Sequence, residues 1–320
     1  MARYLGVDGG GSKTAFAIID DSGQVLGRAN TATSYYFSEG FDVVERRLRE
    51  GVDAVCEIAG VQASDVDAAF FGIPGYGESS ADLARLDAVP AAILGHDRYT
   101  CDNDMVCGWA GSLAGEDGIN VISGTGSMTY GERAGVGRRV GGWGELFGDE
   151  GSAYWVAAQG LNAFSRASDG RAARGALYQA MRQRLDVTSD LDAVSLVIDT
   201  WHGNRSAIAD LAKVVSASAA DDPVADGILV AAVDELVGLI ETTRVLVGFI
   251  DDDLVPVSYS GGMFTGERYL GLFRDALERL PAKYDLRRPV LDPALGAALY
   301  AAKKSGHPLT PEALAALATQ

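Results

Sequence analysis

Cysteine and basic residues are scarce in this sequence, and each shortage excludes a class of protein. The chain of 320 residues has three cysteines, Cys56, Cys101 and Cys107, whose spacing matches no metal site. We therefore expect free thiols in a reducing cytoplasm rather than a disulfide framework. Lysine and arginine number 27 against 44 aspartates and glutamates, which gives a formal net charge of −17. Because a phosphate backbone is bound by basic patches, a nucleic-acid partner is not expected.

Long apolar runs are also absent. No segment of the sequence approaches the roughly 18 apolar residues that a membrane span needs, so no membrane partner is expected. The N-terminus enters an apolar strand at once and leaves no room for a signal peptide, which indicates a cytoplasmic protein. Hydrophobic residues make up 48% and charged residues 22% of the chain, as is typical of a globular protein. This length suits two domains.

One stretch near the N-terminus combines a carboxylate with three consecutive glycines. Residues 5–14 read Leu-Gly-Val-Asp-Gly-Gly-Gly-Ser-Lys-Thr, and a second apolar strand follows at once. Glycine lets backbone N–H groups turn inward without a Cβ in the way, so this hairpin tip can cradle phosphate oxygens. Asp8, at the end of the first strand, is placed to hold a cation beside them. The candidate nucleotide ligands of this loop are Gly9, Gly10, Gly11, Ser12, Lys13 and Thr14.

The loop is not a Walker A loop. That motif places lysine directly after glycine and continues into a helix. Here Ser12 separates the glycine from Lys13, and a strand follows.

Residues 122–129 repeat the pattern of residues 7–14. The aligned pairs are Gly9 and Gly124, Gly11 and Gly126, Ser12 and Ser127, and Thr14 and Thr129. The period is too long for a solenoid. It indicates two related halves that face each other across a cleft, each of which contributes one phosphate loop. Ser123 stands where Asp8 stands in the first copy, so only the first half carries the metal-ligating acid. The candidate ligands of the second loop are Gly124, Thr125, Gly126 and Ser127.

Asp104 lies where a predicted strand over residues 98–104 meets a predicted helix over residues 105–113. In α/β folds this junction often carries ligand-binding groups. Two interpretations are open: Asp104 caps the helix, or it acts as a general base for a phosphoryl acceptor. The twin phosphate loops favour the second interpretation.

Residues 141–152 contain five glycines, one tryptophan and three acids. This composition suits a sugar-binding loop, in which backbone groups approach the ligand and acids accept hydrogen bonds from hydroxyls. The alternative is an acidic helix N-terminus, because a helix is predicted to follow. The candidate sugar ligands are Gly142, Trp143, Gly144, Asp149 and Glu150.

A third glycine-rich junction follows the strand predicted over residues 255–260. Gly261 and Gly262 precede a helix predicted over residues 265–280, and such a junction permits close passage of adenine or ribose. Gly266 belongs to the same candidate nucleotide site. Helical periodicity also predicts single packing helices over residues 191–200 and 205–219.

Together these motifs resemble the N-acetylglucosamine kinase branch of the actin–hexokinase superfamily, together with the related BadF-type ATPases. The matching stretches extend from Val7 to Ala298. The resemblance implies an α/β fold of two ribonuclease-H-like domains, each a mixed five-stranded sheet with helices, that face each other across a cleft. The expected domains are residues 1–115 and 116–320, with the C-terminal helix packing back onto the first. The resemblance also implies a homodimer.

The resemblance implies that ATP, Mg²⁺ and a sugar are bound. Asp8 would then serve the metal, while Ser12, Thr125, Gly262 and Gly266 contact the nucleotide. Asp104 would take the proton from the sugar 6-hydroxyl. Gly142, Trp143, Gly144 and Asp149 would hold the sugar.

The sequence departs from the family pattern at Tyr35. Relatives place an asparagine there for the sugar, and a phenol cannot reproduce the paired donor and acceptor of an amide. The expected activity is ATP-dependent phosphorylation of an amino sugar, either N-acetylglucosamine or glucosamine. Two alternatives remain: an ATPase that activates a redox partner, and a sugar-sensing protein without turnover.

Overall fold

The computed structural model describes the backbone of residues 1–320 and the side chains of residues 1–37 and 40–320. The chain divides into two compact units. Unit 1 comprises residues 1–117 and 288–320, and unit 2 comprises residues 118–287. Each unit contains one five-stranded sheet.

The sheet of unit 1 has the strand order β3-β2-β1-β4-β5. Its strands are β1 (Arg3–Gly9), β2 (Lys13–Asp20), β3 (Val25–Ala32), β4 (Ala68–Ile73) and β5 (Tyr99–Asn103). The first three strands form an antiparallel meander, and β1, β4 and β5 run parallel. Parallel pairing brings the carboxyl ends of β1, β4 and β5 to one edge of the sheet.

The sheet of unit 2 repeats this topology, with the order β10-β9-β6-β7-β8. Its strands are β6 (Gly118–Ser123), β7 (Ser127–Arg133), β8 (Val136–Gly141), β9 (Leu254–Ser260) and β10 (Lys283–Leu286). The strands β6, β7 and β8 are an antiparallel meander, and β6, β9 and β10 are parallel. The expectation of two mixed five-stranded sheets with helices is confirmed.

The helices of unit 1 cover its sheet with apolar faces. They are α1 (Tyr36–Glu39), α2 (Asp42–Ala59), α3 (Leu83–Leu94), α4 (Met105–Ser112), α12 (Pro293–Lys304) and α13 (Pro311–Leu317). In α2, Val44, Leu48 and Val52 recur at four-residue steps and are fully buried. The helix ends at Gly60, whose φ of 67° is the left-handed conformation that favours glycine.

Helices make up much of unit 2. They are α5 (Ala153–Ser168), α6 (Ala176–Leu185), α7 (Ala193–Ser195), α8 (Arg205–Ala209), α9 (Ala212–Ser218), α10 (Pro223–Val247) and α11 (Glu267–Glu278). The longest, α10, buries Leu229, Leu236 and Ile240. It begins after Asp222, whose side chain accepts a hydrogen bond from the N–H of Val224 at 2.9 Å.

The structure differs from the sequence prediction in two helical segments. The single helix predicted over residues 205–219 is divided into α8 and α9. The helix predicted over residues 191–200 is instead a 3₁₀ turn, the short α7 and a π-helical segment over Leu196–Thr200. Among the described residues, no helix combines the length and apolar character that crossing a bilayer requires.

Residues 288–320, which include the C-terminal helices, belong to unit 1 together with residues 1–117. Glycines allow this close packing. A Cβ on Gly6 of β1 would overlap the backbone of α12, and a Cβ on Gly296 would lie 2.6 Å from the carbonyl oxygen of Cys107 in α4.

Candidate functional site

The first glycine loop lies at the tip of the β1–β2 hairpin in unit 1. The N–H of Gly10 donates to the carbonyl of Lys13 at 2.8 Å and closes the turn. Gly11, Ser12 and Lys13 are exposed, so they are available to a ligand. Thr14 is different, because its side chain is fully buried and its hydroxyl donates to Ser34 Oγ at 3.0 Å.

Asp8 stands at the carboxyl end of β1 with a strongly perturbed carboxyl group. Burial raises the pKa of Asp8 from 3.8 to about 7, and the charges of Asp104 and Asp292 add to the rise. Lys13 opposes it. Three carboxylates from β1, the start of α4 and the start of α12 are therefore electrostatic neighbours within unit 1.

A divalent cation fits this arrangement. A half-buried carboxylate near two others is stabilised in its charged form by a cation. In the described part of the chain, no group of three His, Cys, Asp or Glu side chains could hold a metal ion by itself. Mg²⁺ commonly takes one or two carboxylates and completes its shell with water and phosphate oxygens. The donor set at Asp8 thus fits Mg²⁺ bound together with a nucleotide.

The two interpretations of Asp104 can now be compared. Asp104 occupies the N-cap position of α4, but within the described residues its side chain makes no capping hydrogen bond. The cap comes from Asn103, whose Oδ1 accepts from the N–H of Met105 at 3.2 Å. The neighbouring Asp102 is engaged locally and accepts from the N–H of Asn103 at 2.7 Å. The side chain that caps α4 is therefore that of Asn103 and not that of Asp104.

Tyr35 lies in an aromatic cluster, and its backbone is connected to the first glycine loop through Thr33. Its ring centroid is 5.6 Å from that of Phe37. Both rings press on Gly75, where an added Cβ would lie 2.9 Å from Phe37 and 3.3 Å from Tyr35. The N–H of Tyr35 donates to Thr33 Oγ1, and that hydroxyl donates to the carbonyl of Gly10. The position predicted to contact the sugar is thus tied to the first glycine loop.

The second glycine loop joins β6 to β7 in unit 2 and is anchored to the start of α5. The N–H of Gly124 donates to the carbonyl of Gly126 at 2.9 Å and forms the turn. Ser127 Oγ donates to the carbonyl of Glu150 at 2.6 Å. The N–H of Ala153 donates to the carbonyl of Gly124 at 2.8 Å. The second loop and the predicted sugar loop are therefore connected by hydrogen bonds.

A cavity of about 580 Å³ in unit 2 brings together residues of the second and third glycine junctions. This size is within the range of small-molecule sites. Its lining consists of Gly124, Thr125, Ala153, Ser206, Ala209, Asp210, Ala212, Lys213, Ser216, Gly262, Met263, Thr265 and Gly266. Gly261 is not in the lining, but its φ of 101° and its close approach to Ser123 require glycine.

The residues of α8 and α9 in this lining were missed by sequence reasoning. The sequence indicates only helical periodicity there, and small side chains such as Ser206 and Ala209 give no chemical signal. The side chains of Asp210 and Lys213 pair with each other.

The predicted sugar loop, residues 141–152, turns on glycines with positive φ. Gly141, Gly142 and Gly144 have φ of 77°, 72° and 85°. Trp143 is 71% exposed and can face a ligand. Ser152 caps α5 by accepting from the N–H of Trp155 at 3.1 Å, and the first turn of α5 has no acidic residue. The alternative interpretation of this loop, an acidic helix N-terminus, is therefore not supported.

Asp149 is the most constrained residue of the sugar loop. It is 3% exposed and has a left-handed φ of 59°. Its carboxylate forms an ion pair with Arg205, the first residue of α8. Burial raises the pKa of Asp149, while Arg205 and the backbone N–H groups of Ser127 and Gly144 oppose the rise.

The cysteines do not favour a redox role. Cys107 is fully buried, and its thiol donates to the carbonyl of Val7 at 3.4 Å. Burial raises the pKa of Cys107 well above its ordinary value. A neutral, buried thiol is a poor metal ligand, so the alternative of an ATPase that activates a redox partner is not favoured.

Curated relatives match nearly the whole chain. An N-acetyl-D-glucosamine kinase of Dictyostelium discoideum is 28% identical over 311 residues, which are 93% of this chain and 97% of the relative. An N-acetylmuramic acid/N-acetylglucosamine kinase of Clostridium acetobutylicum is 29% identical over 304 residues, 94% of this chain and 98% of the relative.

A solved structure agrees with these relatives. The crystal structure of a Chromobacterium violaceum protein assigned as an N-acetylglucosamine kinase superposes with a TM-score of 0.73 at 26% identity. The match covers 93% of this chain and 98% of that protein. The profile of the BadF/BadG/BcrA/BcrD ATPase family matches residues 5–301. This chain belongs to the BadF/BadG/BcrA/BcrD ATPase family.

Proposed function

We propose that this protein is an ATP-dependent kinase that phosphorylates the 6-hydroxyl of an amino sugar, N-acetylglucosamine or glucosamine. The observation that carries the proposal is the proximity of Asp8 and Asp104 in unit 1. Gly72 is the partner of Asp8 in the sheet, and a Cβ added to Gly72 would lie 3.0 Å from the Cα of Asp104. Asp104 is not used as the helix cap. Relatives of nearly equal length that are named for N-acetylglucosamine phosphorylation support the choice of substrate class.

Each unit contributes its own groups to the proposed reaction. In unit 1, Asp8 would hold Mg²⁺, which would neutralise charge on the phosphates, and the exposed loop residues Gly11, Ser12 and Lys13 bind phosphate oxygens. Asp104 orients the acceptor hydroxyl and takes its proton at the carboxylate oxygen. In unit 2, the 580 Å³ cavity receives the nucleotide through Thr125, Gly262 and Gly266.

Positioning and charge stabilisation supply most of the catalysis, because phosphoryl transfer needs little covalent chemistry from the protein. The proposed sugar ligands from unit 2 are Gly142, Trp143, Gly144, Asp149 and Glu150. The proposed sugar ligand from unit 1 is Tyr35. The proposal includes a homodimer, which the family resemblance implies, and a cytoplasmic location, which the free cysteines indicate.

The substrate is tested with a panel of sugars in a coupled assay of ADP release. N-acetylglucosamine, glucosamine, N-acetylmuramic acid and glucose cover the relevant substituents. We expect turnover with at least one amino sugar and the phosphate on its 6-oxygen. A chain that turns over none of these sugars contradicts the proposal.

The base is tested by Asp104→Asn. Removing a general base costs about 10²- to 10⁴-fold in kcat. Binding of a non-hydrolysable ATP analogue, measured by calorimetry, should be unchanged. Asp102→Asn is the matched control, because it neutralises a neighbouring acid while its side-chain oxygen still accepts from Asn103. Near-normal turnover by Asp104→Asn would remove Asp104 from this role.

A further inference from the structure

Arg205 links three parts of unit 2 and has no role in the proposal above. It is the first residue of α8 and pairs with the buried carboxylate of Asp149. Its Nε lies 3.2 Å from Glu145 Oε2. Among the described residues, this buried Nε has no hydrogen-bond partner. One guanidinium therefore bridges two acids of the sugar loop.

The ion pair lies directly over the second glycine loop. A Cβ added to Gly126 would overlap Arg205 and would lie 2.7 Å from Asp149 Oδ2. The absence of a side chain at Gly126 therefore leaves the room that the ion pair occupies.

Arg205 is adjacent along the chain to the 580 Å³ cavity that is proposed to receive the nucleotide. The next residue, Ser206, lines that cavity together with Ala209 on the same helix. The helix is held at its start by Asn204, whose side chain accepts from the N–H of Ala207 at 2.9 Å. The cavity wall and the anchor of the sugar loop thus belong to one short element.

The charges around Asp149 show why an arginine is needed there. Asp149 faces Arg205 from α8, Glu145 from its own loop, and the backbone N–H groups of Ser127 and Gly144. Arg205 is the only cation among these groups. Removing this cation would leave the buried carboxylate of Asp149 without a compensating charge, which is unfavourable.

We propose that Arg205 is a positioning residue that holds Asp149 and Glu145 in place over Gly126, so that the sugar loop keeps its binding geometry. This inference rests on the proposed function and adds a specificity element to it. Arg205 acts on the sugar through Asp149. It is expected to affect sugar binding more than nucleotide binding.

The test compares Arg205→Ala, Arg205→Lys and the wild type. We expect Arg205→Ala to weaken sugar binding by about 10- to 100-fold, the scale on which misplaced binding groups act. Affinity for a non-hydrolysable ATP analogue should stay the same. Arg205→Lys retains the charge but not the planar fork, so it should recover part of the loss. Calorimetry gives both affinities without turnover.

Two further measurements separate positioning from a general loss of structure. In Arg205→Ala the acid limb of kcat/KM for the sugar should move to higher pH, because a group that lowers the pKa of Asp149 is gone. In an Asp149→Asn background, Arg205→Ala should have little further effect on sugar affinity. Arg171→Ala is the control, since it removes an exposed Arg171–Asp169 pair of unit 2 at 2.7 Å.

The outcomes distinguish the two proposals. Wild-type turnover together with unchanged sugar affinity in Arg205→Ala overturns the role of Arg205 alone. Additive effects of Arg205→Ala and Asp149→Asn also overturn it. A wild-type chain that transfers phosphate to no sugar overturns the proposed function, and the inference with it.

Discussion

At the scale of single residues, Asp8 shows how a candidate site is built at the expense of stability. Its pKa is raised from 3.8 to about 7 in the folded chain, because burial and neighbouring acids disfavour the charged form. The folded state therefore binds more protons than the unfolded state between these pH values. Stability from this group is fully present near pH 4 and is lost as the pH rises towards 7 and above.

Asp8→Asn should therefore stabilise the metal-free chain at pH 8 and leave its stability near pH 4 unchanged. One unit of pKa corresponds to about 1.4 kcal/mol, and for a carboxyl that is only partly shielded from water we expect a gain of about 1–3 kcal/mol. Unfolding by denaturant with a chelator present measures it. Glu57→Gln, which neutralises an exposed acid of α2, is the control. Equal stability of Asp8→Asn and wild type at pH 8 would contradict the electrostatic account.

Single residues also show which features a sequence pattern can reveal and which it cannot. Asp8 and the glycines after it were found because strand, acid and turn are contiguous. Arg205 was missed because its partner Asp149 is 56 positions away along the chain, and a lone arginine at a helix start carries no local pattern. A tertiary ion pair of this kind is invisible until the fold brings its members together.

At the scale of elements, the helix α12 depends on small residues for its place in unit 1. Gly296 faces α4, where a Cβ would overlap the backbone of Gly111 and lie 2.6 Å from the carbonyl of Cys107. Backbone atoms cannot move aside as the end of a flexible side chain can. The close contact at Gly296 therefore joins α12 to α4, the helix that begins after Asp104.

Gly296→Val should separate α12 from α4 and destabilise the protein by about 1–3 kcal/mol or more, as overpacking does. Thermal and denaturant unfolding measure the loss. Gly227→Ala in α10 is the matched control, because nothing lies within 4 Å of its added Cβ. Replacing an exposed helical glycine by alanine should stabilise by about 0.5–1 kcal/mol. Equal effects of the two substitutions would show that close packing is not what holds α12.

Helices and strands are predicted best where the apolar residues of a segment recur at a regular spacing. The strand predicted over residues 255–260 and the helix predicted over residues 265–280 correspond to β9 and α11, because their apolar residues recur at regular steps. The break between α8 and α9 was not predicted, since residues 205–219 keep helical spacing throughout. The short strand β10 was also omitted, because it has four residues and none of them is fully buried. Its place is set by pairing with β9.

At the scale of the whole molecule, the repeat in the sequence corresponds to a repeat in the topology. Each unit places its glycine loop between the first two strands of an antiparallel meander, and the third strand of the meander is an edge strand that pairs with the second. Asp8 has no counterpart in unit 2, where Ser123 donates to the carbonyl of Gly151 at 2.8 Å. The same architecture thus serves metal binding in one unit and loop anchoring in the other, as proposed.

The net charge of −17 gives a prediction for the whole molecule, because Mg·ATP is itself an anion. Long-range repulsion should slow its approach at low ionic strength. Raising the salt concentration from about 0.01 M to 0.15 M shortens the Debye length from about 30 Å to about 8 Å and screens this repulsion. We therefore expect KM for ATP to fall by a few-fold over this range at constant free Mg²⁺. A basic surface would give the opposite trend, because salt weakens the attraction between a basic surface and an anionic ligand.

N-acetylglucosamine is the internal control for this effect, because it is neutral and its KM should not change with salt. Glucosamine, when its amine is protonated, should show a KM that rises with salt, since the acidic surface attracts it. Steady-state kinetics at fixed pH measures all three values on the same enzyme. A KM for ATP that rises with salt would mean that attraction by local groups such as Lys13 outweighs the field of the whole chain, even at low ionic strength.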